Sequence, residues 1–303
     1  MQLRSTAEEL LIRGAASGLL PASWFLSLPD PDALQARTGV LAIEIVSHCW
    51  QYGHLLAYQL SSLVNFPPTQ ARVRMTVFYA PEDARTRAVL DFFAGLEVPG
   101  VTWNWQPIEP GRLFRRAIGR NRIARTTTAD WVWFTDCDIV FHRDCIDTLA
   151  QQLQSRRDRL TYPREERVTA MLAETAPLLA AERDRPRVVD IETAEFALLA
   201  VPRATGAYQI VHGDVARYCG YCEQLPVFQR PARRWAKTYE DRAFRWLMRT
   251  PGEPLEVPGV HRIRHVHKGR YGENRSEALV RSNVRRVKAA LKEKWLAIQG
   301  RAP

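Results

Sequence analysis

Asp136-Cys137-Asp138 is the pair of acidic residues with the most chemical potential in this chain. It ends an apolar run, Trp131-Val132-Trp133-Phe134-Thr135, and in extended backbone residues spaced by two face the same side. Two hard oxygen ligands at the carboxyl end of a strand suit Mg²⁺ or Mn²⁺ holding a diphosphate, because the cation offsets phosphate charge that carboxylates alone would repel. A pair of solvated turn aspartates has the same spacing. A second acidic pair, Glu240-Asp241, opens an amphipathic segment, where the helix dipole alone would favour it. Upstream lies a basic segment, Arg116-Ala117-Ile118-Gly119-Arg120-Asn121, and late in the chain His265-Val266-His267 again puts alternate residues on one face. Cys219-Gly220-Tyr221-Cys222 is a single CxxC with only His212 close by, so spare or buried thiols are expected there rather than zinc.

The elements that must position these groups follow from hydrophobic period. Leu41 to Ser47, Val73 to Tyr79, Val101 to Trp105 and Trp131 to Thr135 are short apolar runs of strand type. Between them, Tyr52 to Val64, Glu82 to Ala94 and Arg112 to Thr126 have helical length and pattern. Strands alternating with helices predict a parallel sheet covered on both faces. Ligands bind such sheets at the carboxyl ends of the strands. After Asp138 the rhythm changes: Cys145 to Gln154 and Arg167 to Glu182 read as helices, an insertion over about 145–190. Strand character returns at Phe196 to Val201 and Ala207 to Val211, and Tyr239 to Arg249 reads as a helix. Thr6 with Glu9 forms a capping box for a first helix ended by Pro21, and Ser276 can cap a last one to Ile298.

The chain has 303 residues, 46% hydrophobic and 25% charged, enough to bury a core and too apolar for wholesale disorder. Its net charge is +10, but nearly all of the excess lies after residue 260, so a nucleic-acid-coating surface is not expected. No secretory-type leader and no run of about 20 apolar residues is present, and the odd count of 5 cysteines reads as reduced thiols. The expected location is cytoplasmic. The last helix carries basic residues around the stripe Val280, Val284, Val287, Leu291, Trp295 and Ile298. It either lies on an anionic membrane, peripheral at its inner face, or packs on the protein with solvated charges.

In order and spacing, these features make Val40 to Lys268 resemble the GT-A fold nucleotide-sugar glycosyltransferases, particularly the family 2-like inverting enzymes. The resemblance is carried by Ile43 to Trp50, Val77 to Asp83, Gly119-Arg120-Asn121, Asp136-Cys137-Asp138, Gly206-Ala207-Tyr208 and Glu240-Asp241. It implies an α/β fold, a Rossmann-like, mostly parallel sheet flanked by helices. The catalytic domain would span 39–272, with helical extensions at 1–38 and 273–303. It further implies transfer of a hexosyl unit to a saccharide or lipid-linked acceptor, in polysaccharide biosynthesis, with Mn²⁺ or Mg²⁺ as cofactor.

Carried over by position, Asp138 resembles the metal ligand and Asp136 its partner at ribose or metal-bound water, while His265 or His267 resembles a third ligand. Asp241, or else Glu240, resembles the general base, which an adjacent like charge would help by raising its pKa. Ser47, His48, Tyr79, Arg116, Arg120 and Gly206 fall at nucleotide-sugar positions, with Lys268 and Arg270 placed to neutralise the departing diphosphate. The loop Phe78-Tyr79-Ala80-Pro81-Glu82-Asp83 departs from the acidic-Gly-Ser turn of family 2, with Asp83 or Glu82 as the substitute. Arg242-Ala243-Phe244-Arg245-Trp246 resembles the acceptor motif of processive synthases, but it abuts the acidic pair, so a single addition is expected. A haloacid-dehalogenase-type phosphatase would want a small residue and Thr after Asp-x-Asp, where Ile139-Val140 stands. A sugar nucleotidylyltransferase would want an N-terminal Gly-rich loop, and a non-catalytic binding scaffold remains the other alternative.

Overall fold

In a computed structural model of the chain, residue 8 and residues 11–173, 175–180, 185–233 and 239–265 are described. The Thr6–Glu9 cap and the helix expected from Ser276 therefore lie outside the described residues.

The first strand, β1 (Leu41–Cys49), is buried along nearly its whole length, as a central parallel strand covered on both faces must be. Its one acidic residue, Glu44, is buried and accepts hydrogen bonds from the hydroxyls of Thr76 (2.7 Å) and Thr127 (2.6 Å). That pairing removes the penalty of an unsatisfied buried carboxylate. β1 pairs in parallel with β2 (Ala71–Tyr79) on one side and β4 (Trp131–Phe134) on the other, and β2 continues in parallel to β3 (Val101–Pro107). Beyond β4 come β9 (Gln209–His212), β6 (Leu160–Pro163) and β10 (Glu253–Leu255). Only β9 runs antiparallel to its neighbours. The result is a mixed, mostly parallel sheet of seven strands in the order β10-β6-β9-β4-β1-β2-β3.

Helices flank this sheet. Helix α1 (Gly53–Asn65) packs against α2 (Ala84–Ala94), α3 (Arg116–Thr126) packs on β1 and on α5 (Gly213–Cys219), and α4 (Cys145–Gln152) packs on β2. A second sheet of four strands, β5-β11-β7-β8, is built from β5 (Ile139–Phe141), β7 (Glu165–Val168), β8 (Ala197–Ala200) and β11 (Val260–Arg262).

Two expected helices differ. The stretch expected to be helical from Arg167 to Glu182 begins inside β7, which pairs antiparallel with β8 and parallel with β11, and the described helix there is only Pro177–Ala180. Cross-strand pairing overrides the weak local preference of a charged segment. The helix expected from Arg112 to Thr126 is split into Pro110–Leu113 and α3, with Arg115 in non-helical geometry between them. The reason is tertiary: a carboxylate from elsewhere in the chain caps the new helix start, as described below.

Candidate active site

Asp136 and Asp138 lie in the short connection between β4 and β5, at the carboxyl end of β4 and beside that of β1. Their backbone is fixed from both sides. The buried Gln59 of α1 donates through Nε2 to the carbonyls of Asp136 (2.9 Å) and Ile139 (3.0 Å), while the Ile263 amide donates to the carbonyl of Asp138 (3.0 Å). Helix α1 and the strand β11 region therefore set the course of the Asp-x-Asp turn. Sequence pattern gave no hint of Gln59, because a polar residue in an amphipathic helix reads as solvated.

The Asp136 carboxylate meets two arginines of α3, one turn apart. Arg116 is ion-paired with it, and Nη2 of Arg120 lies 3.7 Å away. Burial alone would lower the Arg116 pKa, but the carboxylates of Asp136 and Glu240 outweigh it and hold the guanidinium above its usual value. Arg120 is fully buried, which its partners permit: Nη1 donates to the Tyr221 hydroxyl (2.9 Å) and Nη2 to the carbonyls of Gly206 (2.7 Å) and Thr135 (3.3 Å). The Tyr221 hydroxyl donates in turn to Gln209 (2.7 Å), whose amide nitrogen donates to the carbonyl of Asp241 (3.1 Å). One connected network thus ties the Asp-x-Asp turn to helix α6 (Glu240–Met248).

The two carboxylates that open α6 turn apart. Glu240 is 2% exposed, accepts a hydrogen bond from the Ala117 amide (3.0 Å) and lies 4.0 Å from Arg115. It caps the start of α3, where unpaired amides and the helix dipole favour an anion. Asp241 is 30% exposed, sits 3.5 Å from Arg245, and faces Gly206. A methyl group on Gly206 would stand 3.5 Å from Cβ of Asp241 and 3.9 Å from Arg116. Asp241, Gly206, Arg116 and Asp136 therefore share one place, and of the acidic pair only Asp241 presents its side chain there.

Asp138 belongs to a second polar cluster. The buried Tyr208 hydroxyl donates to Glu166, and Glu166 pairs with Arg262 at 2.7 Å. Burial raises the Glu166 and Tyr208 pKa values, and the negative charge of Asp138 pushes both further up, against the opposing pull of Arg262. Glu166 and Arg262 were not legible as site residues, because they come from β7 and β11, far apart in the chain.

The other expected residues divide. Ser47 and His48 lie buried within β1, and neither the Ser47 hydroxyl nor the His48 ring nitrogens has a hydrogen-bond partner among the described residues. The His48 ring stacks on Phe78 with centroids 4.9 Å apart. Burial, aided by the charges of Arg120 and Arg116, holds its pKa well below the ordinary 6.5. Tyr79 is half-buried at the end of β2. Asp83, expected at a nucleotide contact, has a structural role here: its carboxylate accepts from the amide (3.2 Å) and hydroxyl (2.7 Å) of Thr86, capping α2, and from the Gln51 amide (2.5 Å). Three donors within the protein and 8% exposure leave it little access to a ligand. His265 is buried edge-on to Tyr52, with ring centroids 5.2 Å apart. His267, Lys268 and Arg270 lie outside the described residues. The thiols of Cys219 and Cys222 are buried, which raises both pKa values, that of Cys219 to about 12.

Among the described residues no group of three or more His, Cys, Asp or Glu side chains gathers to hold a metal ion. Arg116 pairs with Asp136, and a single further carboxylate of the turn, Asp138, is by itself too few oxygen donors to hold a hard cation without oxygens from a ligand.

No protein-family profile matches the chain, and no curated protein matches it. Among the solved structures that are similar in part are three of one protein. S. aureus TarS 1-349 shares 11% identity at a TM-score of 0.40, over 74% of this chain and 58% of that one. The same protein in complex with UDP shares 12% at 0.32, over 44% and 36%, and a further S. aureus TarS structure shares 12% at 0.42, over 74% and 35%. The chain thus spans less than two thirds of each. Overlap of this extent leaves function to be argued from the site itself.

Proposed function

We propose that this chain is a glycosyltransferase that moves a hexosyl unit from a nucleotide-diphosphate sugar to an acceptor hydroxyl with inversion at the anomeric carbon. The observation that carries the reading is the meeting of Asp241 with the Asp136–Arg116 pair around Gly206, at the carboxyl end of β4. That is where an open α/β sheet binds its ligand. Arg116 and the buried Arg120 offer fixed positive charge to a diphosphate, in a setting where charge is poorly screened. Asp136 holds the Arg116 guanidinium in place and is itself 37% exposed, enough to meet a ribose hydroxyl. Gly206 leaves the space beside Asp241 open, where a side chain would stand between the base and the donor.

Asp241 takes the proton from the acceptor hydroxyl as its oxygen attacks the anomeric carbon. The bond from that carbon to the diphosphate oxygen breaks in the same displacement, and the electron pair leaves with the nucleoside diphosphate. A single displacement inverts the centre. Asp138, with donor oxygens, would hold Mg²⁺ or Mn²⁺, which neutralises charge on the leaving diphosphate. The acceptor class is a saccharide or lipid-linked glycan.

The experiment is a thermal-shift screen of nucleotide sugars with and without Mn²⁺, in wild type and Asp138→Ala. Stabilisation that needs both the metal and Asp138 is expected. If no nucleotide sugar stabilises the wild-type protein, or if stabilisation ignores Asp138, the reading fails.

A further inference from the structure

Residues 11–26 lie along α6 and are held there by polar and aromatic contacts. Trp246 Nε1 donates to the Leu20 carbonyl (3.0 Å), Arg242 to the Ala16 carbonyl (3.2 Å) and the Ser17 hydroxyl (2.7 Å), and Arg249 to the Leu26 carbonyl (2.5 Å). Phe25 packs on the Trp246 ring with centroids 5.0 Å apart. In this placement Ala15, Ala22 and Leu26 are buried, whereas Leu19 (77% exposed), Leu20 (37%) and Trp24 (72%) face outward. Burial of apolar area by itself disfavours that choice, because alanines turned inward and a tryptophan turned outward forgo much of the area the segment could remove from water. A segment held in place with such side chains outside forms a surface that something else completes.

Leu20 and Ala22 line an open groove of about 720 Å³ whose lining also includes Arg203, Arg242, Arg245 and Arg249 and no acidic residue. Arg203 and Arg249 are exposed, and Arg245 shares its charge with Asp241 at 3.5 Å. Apolar side chains beside clustered guanidiniums match an anionic bilayer in both of its parts. Leucine and tryptophan enter the boundary between acyl chains and headgroups, and arginines meet the lipid phosphates. An ordinary protein surface mixes both signs of charge, which adjacent guanidiniums match poorly, whereas an anionic leaflet is negative throughout. We infer that this face, Leu19, Leu20 and Trp24 with Arg203, Arg242 and Arg249, docks the protein on an anionic lipid surface. It uses none of the basic stripe from Val280 to Ile298, which lies outside the described residues, and it does not depend on the transfer chemistry proposed above. Insertion and charge act together here, since either signal alone holds a protein to a membrane only weakly.

The test is co-sedimentation of the full chain with phosphatidylcholine vesicles, with and without phosphatidylglycerol, at low and high salt. Binding to the phosphatidylglycerol vesicles and not to pure phosphatidylcholine is expected, weakening as salt rises. Trp24→Ser should weaken it about tenfold, with Trp24→Phe retaining most of the affinity, and Arg203→Gln should weaken it about fivefold. Both positions are exposed, so the thermal midpoint should stay at the wild-type value. Lipid brominated in its acyl chains should quench tryptophan fluorescence in the wild type, and Trp24→Phe should remove that quenching. A full chain that ignores anionic vesicles overturns the inference. So does binding that Trp24→Ser and Arg203→Gln leave unchanged while Arg285→Glu with Lys288→Glu abolishes it, which would put the contact on the basic stripe. Displacement by inorganic phosphate beyond the effect of chloride at equal ionic strength overturns it in favour of a soluble phosphate on the arginines. A dimer that Trp24→Ser dissolves, without vesicle binding, overturns it in favour of a second copy of this chain.

Discussion

Replacing Gly119 with alanine puts the packing of α3 on β1 and β2 to a quantitative test. A methyl group there would stand 2.4 Å from Nε2 of His48 and 2.9 Å from Cδ2 of Phe78, two rings that are themselves stacked and buried. Alanine in a helix interior gains about 1 kcal/mol over glycine. Overpacking a filled core costs about 1–3 kcal/mol, and contact with two rigid rings at once puts this site at the upper end. The expected net loss is about 2 kcal/mol. In a His48→Ala background the nearer obstacle is gone, so Gly119→Ala should become close to neutral, a coupling of about 2 kcal/mol against an additivity error of about 0.5 kcal/mol. Urea denaturation of the four proteins measures this, provided the slope m stays constant. Arg116 and Arg120 ride on the same helix, so a displaced α3 should also weaken nucleotide-sugar binding. A Gly119→Ala protein as stable as wild type, or one that loses the same stability with and without His48, would refute the reasoning.

Asp241→Asn should retain nucleotide-sugar stabilisation and lose transfer, and unchanged turnover would remove Asp241 as base. Glu240→Gln keeps the shape but removes the negative charge beside Arg115 and at the start of α3, so it should lower stability by about 1–3 kcal/mol, read from the denaturation midpoint. Stability should also fall as pH drops from 7 to 5. Burial lowers the pKa values of His48, His142, His212 and His261, the last to about 4, so the unfolded chain takes up protons below pH 6.5 that the folded one refuses. Each such histidine contributes at most about 1.4 kcal/mol per pH unit over that window. Glu166 opposes this, because its raised pKa gives stability that is present at low pH and lost as pH rises, but it is one group against four. A midpoint unchanged between pH 7 and pH 5 would show that the histidines are not held neutral.

The sequence alone determined the parallel half of the sheet and the location of the Asp-x-Asp turn. Leu41 to Ser47 and Trp131 to Thr135 are strands because central parallel strands are buried on both faces, and Val73 to Tyr79 and Val101 to Trp105, toward the β3 edge, because their β-branched and aromatic residues favour extended backbone. It also placed Glu240-Asp241 at a helix start, since local dipole chemistry selects acidic residues there. Which carboxylate of that pair reaches the site was not legible. Adjacent residues on a helix point about 100° apart, and only the tertiary placement of the start of α6 beside the start of α3 turned Glu240 onto the Ala117 amide and left Asp241 facing Gly206. Asp83 shows the same limit, because an aspartate before a helix reads alike whether it binds a ligand or caps with Thr86. The Glu166, Tyr208 and Arg262 cluster and the Gln59 anchor joined residues from distant parts of the chain. No local pattern records them, because the partners come together only when the two sheets and the helices pack.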